Sequence, residues 1–118
     1  EEYFLNVCTS IASDTVSALD ADIPVSREDM HIIDGYKGEG YAVSTPAELA
    51  FIADVARKEG IIFDPVYTGK AFVGLADQVK KGAFKKHKHI LFIHTGGHFG
   101  LFPKQEQFAE IFFPGSSS

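Results

Sequence analysis

The chain has 118 residues, 45% hydrophobic and 23% charged, the composition of one globular domain able to bury roughly two-thirds of its unfolded surface. Sixteen acidic against eleven basic side chains leave a net charge of −5, which disfavours nucleic acid and anionic membrane as partners. A single cysteine, Cys8, excludes an internal disulfide and a multi-cysteine zinc site, and no apolar run approaches the roughly 20 residues that span a bilayer, so a cytoplasmic setting is expected.

Phe4, Val7, Cys8, Ile11, Thr15, Val16 and Leu19 recur at three- and four-residue steps and predict a first helix that ends before Pro24, with Cys8 as a small core residue. An extended piece at Met30-His31-Ile32-Ile33 leads into a glycine-rich loop, residues 34–41, whose three glycines permit positive φ. Thr45-Pro46-Ala47-Glu48 then carries a complete helix start: a capping hydroxyl, a proline at the first helical position and a glutamate placed to close a capping box. Leu49, Ile52, Ala53 and Ala56 form that helix's apolar face, and Gly60 suits its C′ position. A third helix with Phe72, Leu75, Ala76 and Val79 on one face ends at Gly82. After a basic loop, His89-Ile90-Leu91-Phe92-Ile93-His94 has an unbroken apolar centre and predicts a strand buried on both faces, emptying into Thr95-Gly96-Gly97. One such strand cannot satisfy its own backbone, so the pattern implies an α/β chain that is a piece of something longer or an oligomer that completes a sheet. The missing initiator methionine and the Pro114-Gly115-Ser116-Ser117-Ser118 end fit either trimmed ends or a piece of something longer, with 1–113 as part of a domain and 114–118 as a flexible tail.

Two places invite chemistry. Tyr67, Thr68, Gly69 and Lys70 stand at the start of the third helix, where unpaired N–H groups favour anions; spacing alone favours a plain capped start, with Thr68 as the cap and Lys70 in solvent. The strand-to-glycine transition at Thr95-Gly96-Gly97 allows a ligand close to the backbone, though in isolation it reads more readily as a tight turn. Four of the five histidines fall between positions 87 and 98, but no acid or cysteine lies among them, and no metal site is expected.

Taken in order, Gly38-Glu39-Gly40-Tyr41-Ala42-Val43, Gly60-Ile61-Ile62-Phe63-Asp64-Pro65-Val66-Tyr67-Thr68-Gly69-Lys70-Ala71 and Leu91-Phe92-Ile93-His94-Thr95-Gly96-Gly97 resemble the C-terminal part of the D-cysteine desulfhydrase and 1-aminocyclopropane-1-carboxylate deaminase family, over residues 1 to about 102. The resemblance implies a fragment of a three-layer open-sheet α/β fold of the tryptophan-synthase-β type, pyridoxal 5'-phosphate as cofactor, a small amino-acid substrate and a homodimer. It implies Tyr41 and Tyr67 as catalytic residues, with Thr68 at the pyridine nitrogen and Thr95 and Gly96 beside it. The family's Schiff-base lysine and phosphate loop precede the matched region, so the chain alone is expected to be inactive and to need the missing N-terminal part. A neutral Thr68 implies a weak electron sink, suited to thiol elimination from D-cysteine in a desulfhydrase-type lyase, with the deaminase of the same family as the alternative. A third expectation, from the absent lysine, is a non-catalytic α/β binding or assembly module. Ser44, His98 and the stretch after Phe102 depart from the family's pattern.

Overall fold

The computed structural model describes residues 2–115, so residues 116–118 of the expected tail lie outside the described residues. The chain divides into two compact units, one ending at Asp34 and the other beginning at Gly35.

The first unit holds α1 (Glu2–Ala18) and a 3-10 turn, Arg27–Asp29. The predicted apolar stripe forms a helix, but within it no residue is buried: Phe4, Ile11 and Leu19 are exposed. Cys8 is exposed as well, which corrects its expected place in a core. Arg27 reaches back to Glu2, its Nη2 lying 3.2 Å from Oε1 between two exposed side chains, a pair worth little in water.

The second unit contains α2 (Pro46–Glu59), α3 (Thr68–Lys81) and α4 (Gln105–Phe112), the last preceded by a 3-10 segment, His98–Lys104. Helix α2 begins as its sequence dictates. The Thr45 hydroxyl accepts the Glu48 N–H at 3.2 Å, the Glu48 carboxylate accepts the Thr45 N–H at 2.6 Å, and Gly60 closes the helix in the left-handed region. Its inner face supplies Ile52 and Val55 to a small core completed by Phe63, with Phe51, Phe72, Phe92 and Phe108 packed around it. Phe63 stacks on Phe72 at 4.5 Å between ring centroids, and Phe92 meets both edge-on.

The expected three-layer open sheet is not present: among the described residues there are helices and no strand. The tryptophan-synthase-β-type architecture inferred from the family resemblance is therefore overturned as a description of this chain. The cause is visible in residues 89–94. A two-sided buried strand needs neighbours to receive its N–H and C=O groups, and none of the extended pieces at 30–33, 61–63 and 89–94 forms a ladder. Instead Phe92 and His94 turn towards the aromatic core, while Leu91, at 86% exposure, and Ile93 face solvent. The segment is thus one-sided, and its apolar run reports a face left without a partner.

Candidate functional site

The chemistry-bearing residues gather around the Asp64–Lys70 segment. Asp64 is 1% exposed and caps α3 from outside the helix: its Oδ2 accepts the N–H groups of Val66 and Tyr67 at 2.8 and 2.7 Å, and its Oδ1 accepts that of Thr68 at 2.8 Å. The Thr68 hydroxyl also donates to Asp64 Oδ1, and in turn accepts the Asp64 N–H at 3.1 Å. Burial pushes the Asp64 carboxyl up, but the Thr68 hydroxyl and the three backbone N–H groups outweigh it, and the net value lies below the ordinary range. The capped start expected from the sequence is present, with Asp64 rather than Thr68 as the cap. An anion site at this helix end is accordingly occupied by the chain's own carboxylate.

Lys70 is not in solvent. It is 6% exposed, and its Nζ donates to the carbonyls of Lys37 at 2.9 Å, Gly40 at 3.4 Å and Val43 at 2.6 Å. The glycine-rich loop is held at two further points. Tyr36 donates to Asp77, accepts from Gln78 Nε2 at 2.9 Å, and lies where a side chain on Gly74 would sit, 3.0 Å from its ring. Ser44 donates to the Pro65 carbonyl at 3.0 Å.

With the loop in this position Tyr41 meets Tyr67 edge-to-face, 5.9 Å between centroids, both rings well exposed. The Tyr41 phenol beside it raises the Tyr67 phenol above its ordinary value, and slight burial and the negative charge of Asp64 add to this. The shift moves Tyr67, a phenol already protonated at neutral pH, further from acting as a base and leaves it able to donate a hydrogen bond.

The second predicted motif reaches the same place. Gly97, at φ 92°, packs so closely that a Cβ on it would lie 3.0 Å from the Asp64 carboxyl carbon. Thr95 and Gly96 precede it at this turn; Thr95 is exposed, and Gly96, at φ 90°, has open space where a side chain would be. His94 fixes the turn. Its Nδ1 accepts the Gly96 N–H at 3.0 Å, so the ring proton sits on Nε2, 2.9 Å from the Ile62 carbonyl that receives it. The imidazole is sandwiched between Phe63 and His98, each 5.1 Å away. The structure thus brings Tyr41 to Tyr67, and the Thr95-Gly96-Gly97 turn to the Asp64–Thr68 pair. The roles of Asp64, Lys70 and His94 were missed from spacing alone. The signal available for the first two was a carboxylate four residues before the threonine and a lysine two residues after it, both inside the motif.

Among the described residues no group of three or more His, Cys, Asp or Glu side chains is placed to hold a metal, and no helix is long and apolar enough to cross a membrane.

What fold and site define is a helical chain presenting a tyrosine pair and a carboxylate-braced threonine beside an open double-glycine turn. The chain belongs to the pyridoxal-phosphate dependent enzyme family, whose model matches residues 4–96. It is 44% identical over 88 residues to the mitochondrial bifunctional D-cysteine desulfhydrase/1-aminocyclopropane-1-carboxylate deaminase of Arabidopsis thaliana, a match covering 74% of this chain and 22% of that protein. It is 41% identical over 83 residues to a putative 1-aminocyclopropane-1-carboxylate deaminase of Thermotoga maritima, covering 70% and 25% respectively. It is 45% identical over 74 residues to a D-cysteine desulfhydrase of Salmonella typhi, covering 63% and 23%. The chain spans about a quarter of the length of these curated relatives, and no solved structure matches it.

The assignment of D-cysteine elimination to this chain, with its deaminase and α/β-module alternatives, falls with the sheet. Each presupposed a sheet-borne site, and the described residues carry none. The weak-sink inference from Thr68 fails separately, because the hydroxyl is not a free neutral donor: it is already donated to a buried carboxylate.

Proposed function

We propose that this chain supplies one wall of a pyridoxal 5'-phosphate site to a longer enzyme of the lyase or deaminase kind. Tyr41 and Tyr67 stand at the reacting face, Thr68 at the ring nitrogen, and Thr95 and Gly96 at the ring's edge. The observation that carries this is the meeting of the two separated motifs at Asp64, with Gly97 against its carboxyl carbon and Thr68 hydrogen-bonded to it.

The residues present fit half of the cofactor. Gly96 leaves room for a flat ring to approach the backbone. The phosphate half finds nothing in this segment, since Lys70 is engaged by three carbonyls and the α3 start is capped by Asp64. That half, and the lysine that would hold the cofactor covalently, must come from the remaining length that the relatives have.

The bound cofactor would supply an electron sink for a bond at the substrate's α-carbon. Thr68, with its proton on Asp64 and one lone pair taken by the Asp64 N–H, can offer the ring nitrogen only a lone pair. The charged carboxylate behind it favours a protonated ring nitrogen, a stronger sink than a solitary threonine would give. Tyr67, its phenol raised further by Tyr41, serves as a hydrogen-bond or proton donor to substrate.

Pyridoxine, which has the ring but neither phosphate nor aldehyde and so cannot attach to surface lysines, is the probe. Its titration into the 15N-labelled chain is expected to move the amide signals of Thr68, Thr95 and Gly96 and leave those of α4 in place. Perturbation centred on α4, or none at millimolar pyridoxine, would remove the proposed wall.

A further inference from the structure

The geometry points to Lys70 as a positioning residue: its buried ammonium, by gathering three carbonyls of the 37–43 loop, holds Tyr41 against Tyr67. This deepens the proposed function and rests on it for the meaning of the tyrosine pair, while the clamp itself stands on coordinates alone.

A loop of this composition has no reason to adopt one shape. Gly35, Gly38 and Gly40 place few limits on its backbone, and Tyr41 at its end is 77% exposed, so core packing does not fix the ring. What does fix the loop is a cation. An ammonium offers three donors, and Lys70 Nζ finds three acceptors, the carbonyls of Lys37, Gly40 and Val43, which bracket Tyr41 on both sides. With no carboxylate among those partners, it is the peptide dipoles that stabilise the charge. Their loss would leave a buried cation uncompensated, so the loop and the lysine must stay together.

Two local features support the fit. Gly38, at φ 71°, comes so near that a Cβ there would lie 2.9 Å from Nζ, so the loop closes on the ammonium most tightly where that residue has no side chain. Ala42, next to Tyr41, takes φ 57°, a left-handed conformation that a non-glycine residue adopts at a cost, and the neighbouring carbonyls of Gly40 and Val43 are both bound by Nζ. The chain from Lys70 to function is short. Lys70 leaves α3 two residues after Thr68, and its ammonium fixes the loop that carries Tyr41. Tyr41 then meets Tyr67 edge-to-face at the start of the same helix.

Lys70→Met keeps the stem and removes the charge. With helix content by circular dichroism unchanged, amide exchange at Val43, whose N–H donates to the Gly40 carbonyl at 3.3 Å within the loop, is expected to rise about tenfold or more, as befits loss of the charge-assisted hydrogen bonds that hold those carbonyls, while exchange at Ile52 and Val55 stays as it was. In the same variant the Tyr67 ring, followed by 13C-tyrosine titration, is expected to fall back to an ordinary phenol, because Tyr41 no longer sits beside it. A change in loop packing that left Tyr41 in place would not move that titration. Loop exchange and Tyr67 titration both unchanged from the parent chain would overturn the proposal, as would faster loop exchange with Tyr67 unmoved. Where Lys70→Met does not fold, Lys70→Gln decides by the same two readouts, since it too removes the ammonium while keeping a polar end that can still donate to a carbonyl. Neither readout involves cofactor, so a chain that ignores pyridoxine yet responds here separates a failed cofactor wall from a failed clamp.

Discussion

Asp64 concentrates more of the chain's polar order than any apolar residue does. Three backbone N–H groups and the Thr68 hydroxyl converge on one carboxylate that is almost wholly removed from water. Asparagine has nearly the same shape but turns an NH2 towards donors, so Asp64→Asn leaves at least one buried N–H facing another donor. Hydrogen bonds to charged groups contribute about 1.5–3 kcal/mol each, and the expected loss on urea unfolding at pH 7 is about 2–4 kcal/mol. A variant within experimental error of the parent would refute the capping account. The acid limb has a definite sign. The folded carboxyl lies below its ordinary value, so on acidification the unfolded chain takes up the proton first. The contribution is complete above about pH 4, the ordinary carboxylate range, and is lost as pH falls through the folded value. Asp64→Asn should flatten that part of the stability profile relative to the parent.

At the scale of elements, the residues that fold locally were the ones legible in the sequence. Thr45, Pro46, Glu48 and Gly60 specify both ends of α2 through bonds spanning three or four residues, and the observed caps use those atoms. Thr45→Ala should therefore cost about 1 kcal/mol, measurable as a lowered thermal midpoint. Gly69→Ala should cost more, about 2–3 kcal/mol or greater, although alanine is the better helix former. Its Cβ would stand 2.5 Å from the Asp64 carbonyl and 2.5 Å from Ile52 Cδ1, a clash with backbone that cannot move without releasing the cap. A Gly69→Ala chain more stable than Thr45→Ala would contradict this packing. What could not be read locally was anything that needs a distant partner. Residues 89–94 have the composition of a buried strand, yet a strand is defined by its neighbours, and the outward positions Leu91 and Ile93 met none. Lys70 looked solvated because no residue near it in sequence announces three carbonyls 27 to 33 positions away. The short helix α4 left no sequence signal that was recognised, and it packs on α2 through Phe108 and an Arg57 that bonds the Ile111 carbonyl and lies over the Phe112 ring.

At the scale of the whole molecule, the buried hydrophobic residues among those described, Leu49, Ile52, Ala53, Val55 and Phe63, form a core smaller than a chain of this length would ordinarily build, and the missing burial reappears as exposed apolar surface. In the second unit Leu91, Ile93, Phe99 and Phe102 are each more than half exposed, and in the first unit Tyr3, Phe4, Ile11 and Leu19 are so on their own account. Contiguous apolar area beyond a few hundred Å² is uncommon on a monomer and drives association. The chain is therefore expected to sediment with a concentration-dependent mass. The double variant Leu91→Lys, Ile93→Lys tests which surface is responsible. Both side chains point away from the Phe63–Phe72–Phe92 cluster, so charge there removes apolar surface without entering the core, and helix content should not change. A shift of the variant towards monomer at unchanged helicity would locate the association on the face that carries residues 89–94. Association undiminished by the two lysines would place it elsewhere, and a parent chain that stays monomeric at every concentration reached would show that the exposed residues are too dispersed to act as a surface.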